Sequence, residues 1–229
     1  MKKIGILGGL GPESTLVYYR GIIDAFKSTY EIAGYPEMII ESLNLKQVAA
    51  WAENGEWQRI ADLISRCFTT MHSAGANFGV IASNTPHKVF RLIQRQTQLP
   101  LISIVSAARA YAQKNRLKKL LLLGTKFTMQ GDFYQQEFTQ QGMEIVTPDA
   151  REQDYIHKKI FSEITLGILN QSTKREMRKI INRHLLGVQG VILACTELPL
   201  ILNSHDVQLA CLDTTQIHIN SITEYCRGK

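Results

Sequence analysis

The sequence predicts an α/β protein built from two related halves, each a parallel sheet flanked by helices. Three observations predict it. Short Ile/Leu/Val-rich runs alternate with amphipathic stretches along the whole chain, the order expected when helices connect parallel strands. These runs lack strict apolar–polar alternation, as strands covered on both faces do. The chain also repeats itself. Residues 79–87 read Gly-Val-Ile-Ala-Ser-Asn-Thr-Pro-His and residues 190–199 read Gly-Val-Ile-Leu-Ala-Cys-Thr-Glu-Leu-Pro, while 4–9 (Ile-Gly-Ile-Leu-Gly-Gly) is echoed by 120–125 (Leu-Leu-Leu-Leu-Gly-Thr). Ser83 and Cys195 lie 112 residues apart and Gly8 and Gly124 lie 116 apart, offsets close enough to predict two halves facing each other across a cleft.

Taken in order, strands are expected at 3–8, 37–43, 79–82, 101–104, 119–124, 143–146, 190–194 and 207–211. Helices are expected at 12–28, 55–74, 86–97, 105–115, 129–141, 152–169, 173–187, 197–202 and 215–226. In 55–74 the apolar residues Trp57, Ile60, Ala61, Ile64, Phe68 and Met71 recur at the helical period. Gly75 and Gly142 stand where a helix would stop. No low-complexity linker separates the halves, and the boundary is expected near Gln98–Pro100. The last strand and helix are expected to return to the first half. That gives one domain of residues 1–98 plus 208–229 and a second of 99–207.

Composition narrows the function classes. With 229 residues, 45% hydrophobic and 20% charged, the chain has the make-up of a soluble globular protein with a sizeable core. Its net charge of +6 is spread over scattered residues and solvated helix faces, so no nucleic-acid partner is expected. A mild positive field suits a small carboxylate substrate. No apolar run reaches 18 residues and no signal-peptide pattern precedes the first strand, so no membrane partner and a cytoplasmic location are expected. The four cysteines, at 67, 195, 211 and 226, show no CxxC and no zinc-site spacing, so no metal is expected. Cys67 and Cys211 read as buried hydrophobes, and Cys226 lies near a terminus expected to be mobile.

Five polar clusters fall at strand carboxyl ends, where open parallel sheets bind ligands. In the turn at 8–15 (Gly-Gly-Leu-Gly-Pro-Glu-Ser-Thr), Pro12 suits a first helical position, and the amides of Gly9 and Leu10 with the Ser14 and Thr15 hydroxyls suit a carboxylate or phosphate. The turn lacks a third glycine at 14, so it is a weak dinucleotide signal, and a tight turn alone would also explain it. In 83–87, Thr85 before Pro86 reads as a helix N-cap, Asn84 as a carboxylate reader, and His87 as either a base or a hydrogen-bonding support. In 124–130, Thr125 and Thr128 offer hydroxyls, with Thr128 a candidate N-cap. In 195–197, Cys195 follows a strand at an expected helix start, where amide dipoles favour thiolate. A modest fall from the free pKa of about 8.5 would then supply a base at neutral pH. Glu197 reads as an ammonium binder or a helix-start acid. Asp213-Thr-Thr215 reads as a cap for the last helix.

At these residues the sequence resembles the aspartate/glutamate racemase family over essentially its whole length. The resemblance rests on the turn at 8–15, on Asn84-Thr85-x-His87, on Leu-Gly-Thr-x-x-Thr-Met at 123–129 and on Cys195-Thr-Glu197. It implies two Rossmann-like halves in pseudo-twofold relation with the active site in the cleft between them, a homodimer, and no cofactor. It also implies that backbone amides with Asn84, Thr85, Thr125 and Thr196 hold the substrate carboxylate. The family pattern sets two cysteines on opposite faces of the α-carbon, one removing a proton and the other delivering one. Here Ser83 stands where the first cysteine would be. The resemblance therefore implies an amino-acid racemase or epimerase with Cys195 as main acid/base and Ser83 as its partner. The alternatives are a one-cysteine isomerase or decarboxylase of a small carboxylate, and a catalytically silent ligand-binding relative.

Overall fold

The computed structural model describes residues 1–27 and 34–228. The expected end of the first helix at 28 and the chain terminus at 229 lie outside the described residues. The chain divides into two compact units, residues 1–104 with 215–229 and residues 105–214.

The first unit carries a four-stranded parallel sheet of β1 (Ile4–Gly8), β2 (Met38–Ser42), β3 (Phe78–Ile81) and β4 (Leu101–Ile102), in the spatial order β2-β1-β3-β4. Ile4 aligns with Met38 on one side and Phe78 on the other. β1 and β3 are buried along their whole length, which explains why their sequences are continuous apolar runs. Helix α1 (Pro12–Lys27) buries Tyr18, Ile22 and Phe26 against this sheet, together with Ile219 and Ile222 from the last helix. Each such side chain contributes about 1.5–3 kcal/mol on leaving water. Helix α2 (Leu45–Glu53) was not expected; its N-cap Asn44 accepts from the Gln47 amide, a capping signal in 44–47 that strand-and-linker reading passes over. Helix α3 (Trp57–Ser73) buries the predicted stripe from Ile60 to Met71, and Gly75 follows it with φ +87°. The expected helix 86–97 is instead a 3₁₀ segment, Thr85–Val89, followed by α4 (Phe90–Gln96).

The second unit repeats the plan. Its parallel sheet contains β5 (Lys119–Gly124), β6 (Glu144–Val146), β7 (Gly190–Ala194) and β8 (Ala210–Asp213), ordered β6-β5-β7-β8. Leu120 aligns with Ile145 and Gly190, and Gly190 with Ala210. The last strand therefore stays in the second sheet rather than returning to the first half, because β8 hydrogen-bonds to β7. Only the last helix returns. Around this sheet lie α5 (Ile104–Lys114), α6 (Lys126–Met129), α7 (Phe133–Thr139), α8 (Ala150–Ser162) and α9 (Gln171–Arg183). The expected helix 129–141 is broken at Gly131, where a Cβ would meet the Phe127 carbonyl at 2.8 Å. α8 starts on a capping box between Asp149 and Glu152, and ends before a 3₁₀ turn closed by Gly167 at φ +75°.

The last helix, α10 (Thr214–Cys226), belongs to the first unit from Thr215 onward. Its end is held, contrary to expectation. Cys226 is buried, its thiol donates to the Lys2 carbonyl at 3.1 Å, and its own carbonyl accepts from the Lys2 amide.

Candidate functional site

In the first unit, the β1 and β3 carboxyl ends are neighbours, joined by the Ala82 amide donating to the Leu7 carbonyl at 2.9 Å. The turn after β1 is shaped by Gly9 at φ +80°, whose amide donates to the Thr15 hydroxyl at 2.9 Å. A Cβ at Gly9 would meet the Leu43 carbonyl at 2.3 Å, so this loop conformation requires glycine. Pro12 opens α1 as predicted. Leu10 and Ser14 are buried beside it.

After β3, Ser83, Asn84 and His87 are all buried. Thr85 is not the N-cap: it is the first residue of the 3₁₀ segment, and Asn84 holds the cap position. The choice left open for His87 is decided by its ring. Nδ1 lies 3.0 Å from the Ser83 carbonyl and Nε2 lies 3.3 Å from the Ile104 amide. A carbonyl only accepts and an amide only donates, so Nδ1 carries the proton and Nε2 is the acceptor. Burial pushes the ring pKa down to about 4, so His87 is neutral at pH 7. Phe90 stacks on it with centroids 5.0 Å apart. His87 is therefore a support for the Ser83 backbone, not a free base.

In the second unit, Gly124 pairs with Ala194, so the turn after β5 and the residues after β7 are again neighbours. Thr125, not Thr128, caps α6, accepting from the Thr128 amide at 3.3 Å; the two hydroxyls are 3.2 Å apart. Lys126, at the start of α6, pairs with Asp154 at 2.6 Å.

Cys195 ends up in an environment different from the one expected. No α-helix starts at 197; only a 3₁₀ turn, Leu198–Leu200, follows. The residue is 7% exposed, and its thiol donates to Glu197 Oε2 at 3.0 Å, which also accepts from the Thr196 hydroxyl at 2.9 Å. Burial first, then the adjacent Glu197 carboxylate, push the thiol pKa well above the ordinary range. In this state Cys195 is a protonated donor rather than a thiolate. Cys67 and Cys211 behave as inert hydrophobes, with burial raising them to about 12 and about 11. At the fifth cluster, the Thr214 hydroxyl donates to the Leu193 carbonyl at 2.8 Å, two residues before Cys195. Among the described residues, no group of three or more His, Cys, Asp or Glu is placed to hold a metal ion, and no helix is long and apolar enough to cross a membrane.

Known proteins resemble this chain over nearly its whole length. The model of the Asp/Glu/Hydantoin racemase family matches residues 7–222, and with it every cluster described above. The chain belongs to this family. A crystal structure of a Yersinia pestis protein superposes with a TM-score of 0.91 at 33% identity, covering 99% of this chain and 100% of that one. An aspartate racemase homologue from Pyrococcus horikoshii gives 0.84 at 38% identity, over 99% and 100% of the two chains. The broad-specificity amino-acid racemase RacX of Bacillus subtilis is 24% identical over 93% of this chain and 92% of its own length. The family is one of racemases, which are isomerases, and the relatives named here as racemases are of that class. The matching structures share the α/β plan of two parallel sheets flanked by helices.

Sequence reading missed Tyr18 and His218. Both are fully buried, and the Tyr18 hydroxyl lies 2.7 Å from His218 Nδ1 across 200 residues of chain. No local signal could have found this pair, since neither residue adjoins a motif.

Proposed function

We propose that this chain is a cofactor-independent amino-acid racemase or epimerase in which Cys195 is the main acid/base and Ser83 the second proton-transfer group. The observation that carries this reading is the Cys195–Glu197 hydrogen bond in a member of a racemase family. A thiol held protonated is ready to deliver a proton to a carbanion, and the thiolate left behind is reprotonated from the α-carbon in the reverse direction. In the delivery direction the S–H bond breaks, a C–H bond forms and the charge moves from carbon to sulfur. The Leu10 amide, the side chains of Ser14, Asn84 and Thr85, and the paired hydroxyls of Thr125 and Thr128 supply donors for the substrate carboxylate, on which carbanion charge develops, while the Gly9 amide and the Thr196 hydroxyl shape the site through their bonds to Thr15 and Glu197. Glu197 serves Cys195 as acceptor and is available to a substrate ammonium.

Ser83 is the weak member. Its hydroxyl is a far poorer acid than a thiol, and with both His87 nitrogens held by backbone the Ser83 relay runs through solvent water. This favours a second reading, a one-cysteine enzyme protonating a single face of a small carboxylate. Incubation in D2O with a panel of single-enantiomer amino acids separates the two, with α-proton exchange followed by NMR and configuration by optical rotation. Exchange with inversion is expected. Exchange with retention means Cys195 acts alone, and no exchange on any amino acid removes the racemase reading.

A further inference from the structure

A buried polar chain runs through the first unit that none of the proton-transfer steps above uses. His218, on α10, is fully buried; its Nε2 lies 3.0 Å from the Ile102 carbonyl, and its Nδ1 lies 2.7 Å from the Tyr18 hydroxyl on α1. Since the carbonyl only accepts, Nε2 carries the proton and Nδ1 accepts from Tyr18. Two residues beyond Ile102, the Ile104 amide donates to His87, which in turn donates to the Ser83 carbonyl. The order is therefore Tyr18, His218, Ile102, then Ile104, His87 and Ser83. It links α1, α10, the β4–α5 junction and the end of β3. Each ring accepts at one nitrogen and donates at the other, so neither can turn over without breaking two hydrogen bonds in a dry interior.

We propose that His218 is a positioning residue for Ser83, fixing the β4–α5 junction on which His87 holds the Ser83 backbone. The geometry supports a positioning role rather than core filling alone. A buried leucine would fill the volume without needing a donor for Ile102 or an acceptor for Tyr18. A hydroxyl relay needs its oxygen held within a few tenths of an ångström, because proton transfer falls off steeply with misplacement. Burial lowers both rings, His87 to about 4 and His218 to about 3, so the chain keeps one protonation state across the neutral range. It therefore acts through position and not through charge.

This inference rests on the proton-transfer reading of Ser83, so its test has an arm that does not depend on turnover. In the first arm, His218→Leu is combined with Ser83→Ala and inversion is measured relative to total α-proton exchange. His218→Leu is expected to lower inversion about tenfold in the parent with KM within about twofold, and to have no further effect in the Ser83→Ala background. His218→Gln, which restores a donor to the Ile102 carbonyl, is expected to recover most of the loss. An equal loss in both backgrounds overturns the proposal, since His218 would then act on the fold at large. In the second arm, Ser83→Cys is made with and without His218→Leu or Tyr18→Phe, and alkylation of the introduced thiol by iodoacetamide is followed by peptide mass spectrometry. A rate change of at least about threefold supports the tether. Equal rates in a folded protein overturn it, even where no amino acid proves to be a substrate.

Discussion

The ends of β3 and β7 occupy equivalent places in two sheets of the same strand order, yet they set up opposite chemistry. Both strands are buried apolar runs, and both lead through a three-residue link, Ala82–Asn84 or Cys195–Glu197, into a 3₁₀ turn with proline at its start. After β3, a hydroxyl residue is backed by a neutral imidazole tied to backbone on both sides. After β7, a thiol is backed by a carboxylate that takes its hydrogen. The side chain at each strand end is thus set less by the strand that presents it than by the residue two to four positions later. His87 fixes geometry and carries no charge. Glu197 brings a charge that keeps the thiol protonated.

The comparison can be broken most severely at the thiol. Cys195→Ala is expected to lower α-proton exchange at least about 10³-fold on any substrate, because the β3 end has no group of comparable acidity. Residual exchange within tenfold of the parent, measured by NMR in D2O, would show that the two strand ends are not functionally unequal. Next in size is Ser83→Cys, which makes the two ends alike. A gain in racemisation of about 10–100-fold is expected by polarimetry, and an unchanged rate would place the weakness elsewhere.

A smaller effect sharpens the β7 end alone. Glu197→Gln removes the negative charge that disfavours thiolate while leaving the larger burial effect in place. Cys195 alkylation at pH 8 is then expected to accelerate about 3–10-fold. A slower reaction would mean that Glu197 activates the thiol. The mildest prediction concerns stability. His87 and His218 titrate near 6.5 when unfolded but at about 4 and about 3 when folded, so between pH 6.5 and 4 the unfolded chain binds more protons. Stability is complete above pH 6.5 and falls with pH through that window, by about 1.4 kcal/mol per pH unit for each histidine. Urea midpoints from pH 7 to 4 are expected to fall, and to fall about half as steeply in His87→Gln. The same slope in both proteins would mean that His87 is not held neutral.

Much of this was legible in the residues. The apolar runs set the strands β1, β5 and β7 to within a residue, because strands buried on both faces leave an uninterrupted Ile/Leu/Val signature. Turn chemistry located the clusters at 8–15, 83–87, 124–130 and 195–197. Local reading failed where the partner is not local. Thr85 and Thr128 resemble N-caps by type, yet the caps fall on Asn84 and Thr125, since cap position depends on where the backbone turns into the helix. The length of the helix after Cys195 was misjudged for a similar reason: Leu198-Pro-Leu-Ile-Leu has helical periodicity, but the chain there closes as a single 3₁₀ turn.

What the sequence determined by itself is the architecture and the place of the candidate groups at the strand ends. Periodicity and motif spacing are properties of neighbouring residues, and the strand-end position of Ser83 and Cys195 follows from them. Only the tertiary structure decided how those groups are set. The Cys195 thiol is protonated because burial and Glu197 act together, and His87 is a support because Ile104, 17 residues away, takes its second nitrogen. Desolvation and long-range hydrogen bonding depend on which distant segments pack around a group, and that information exists only once the chain has folded.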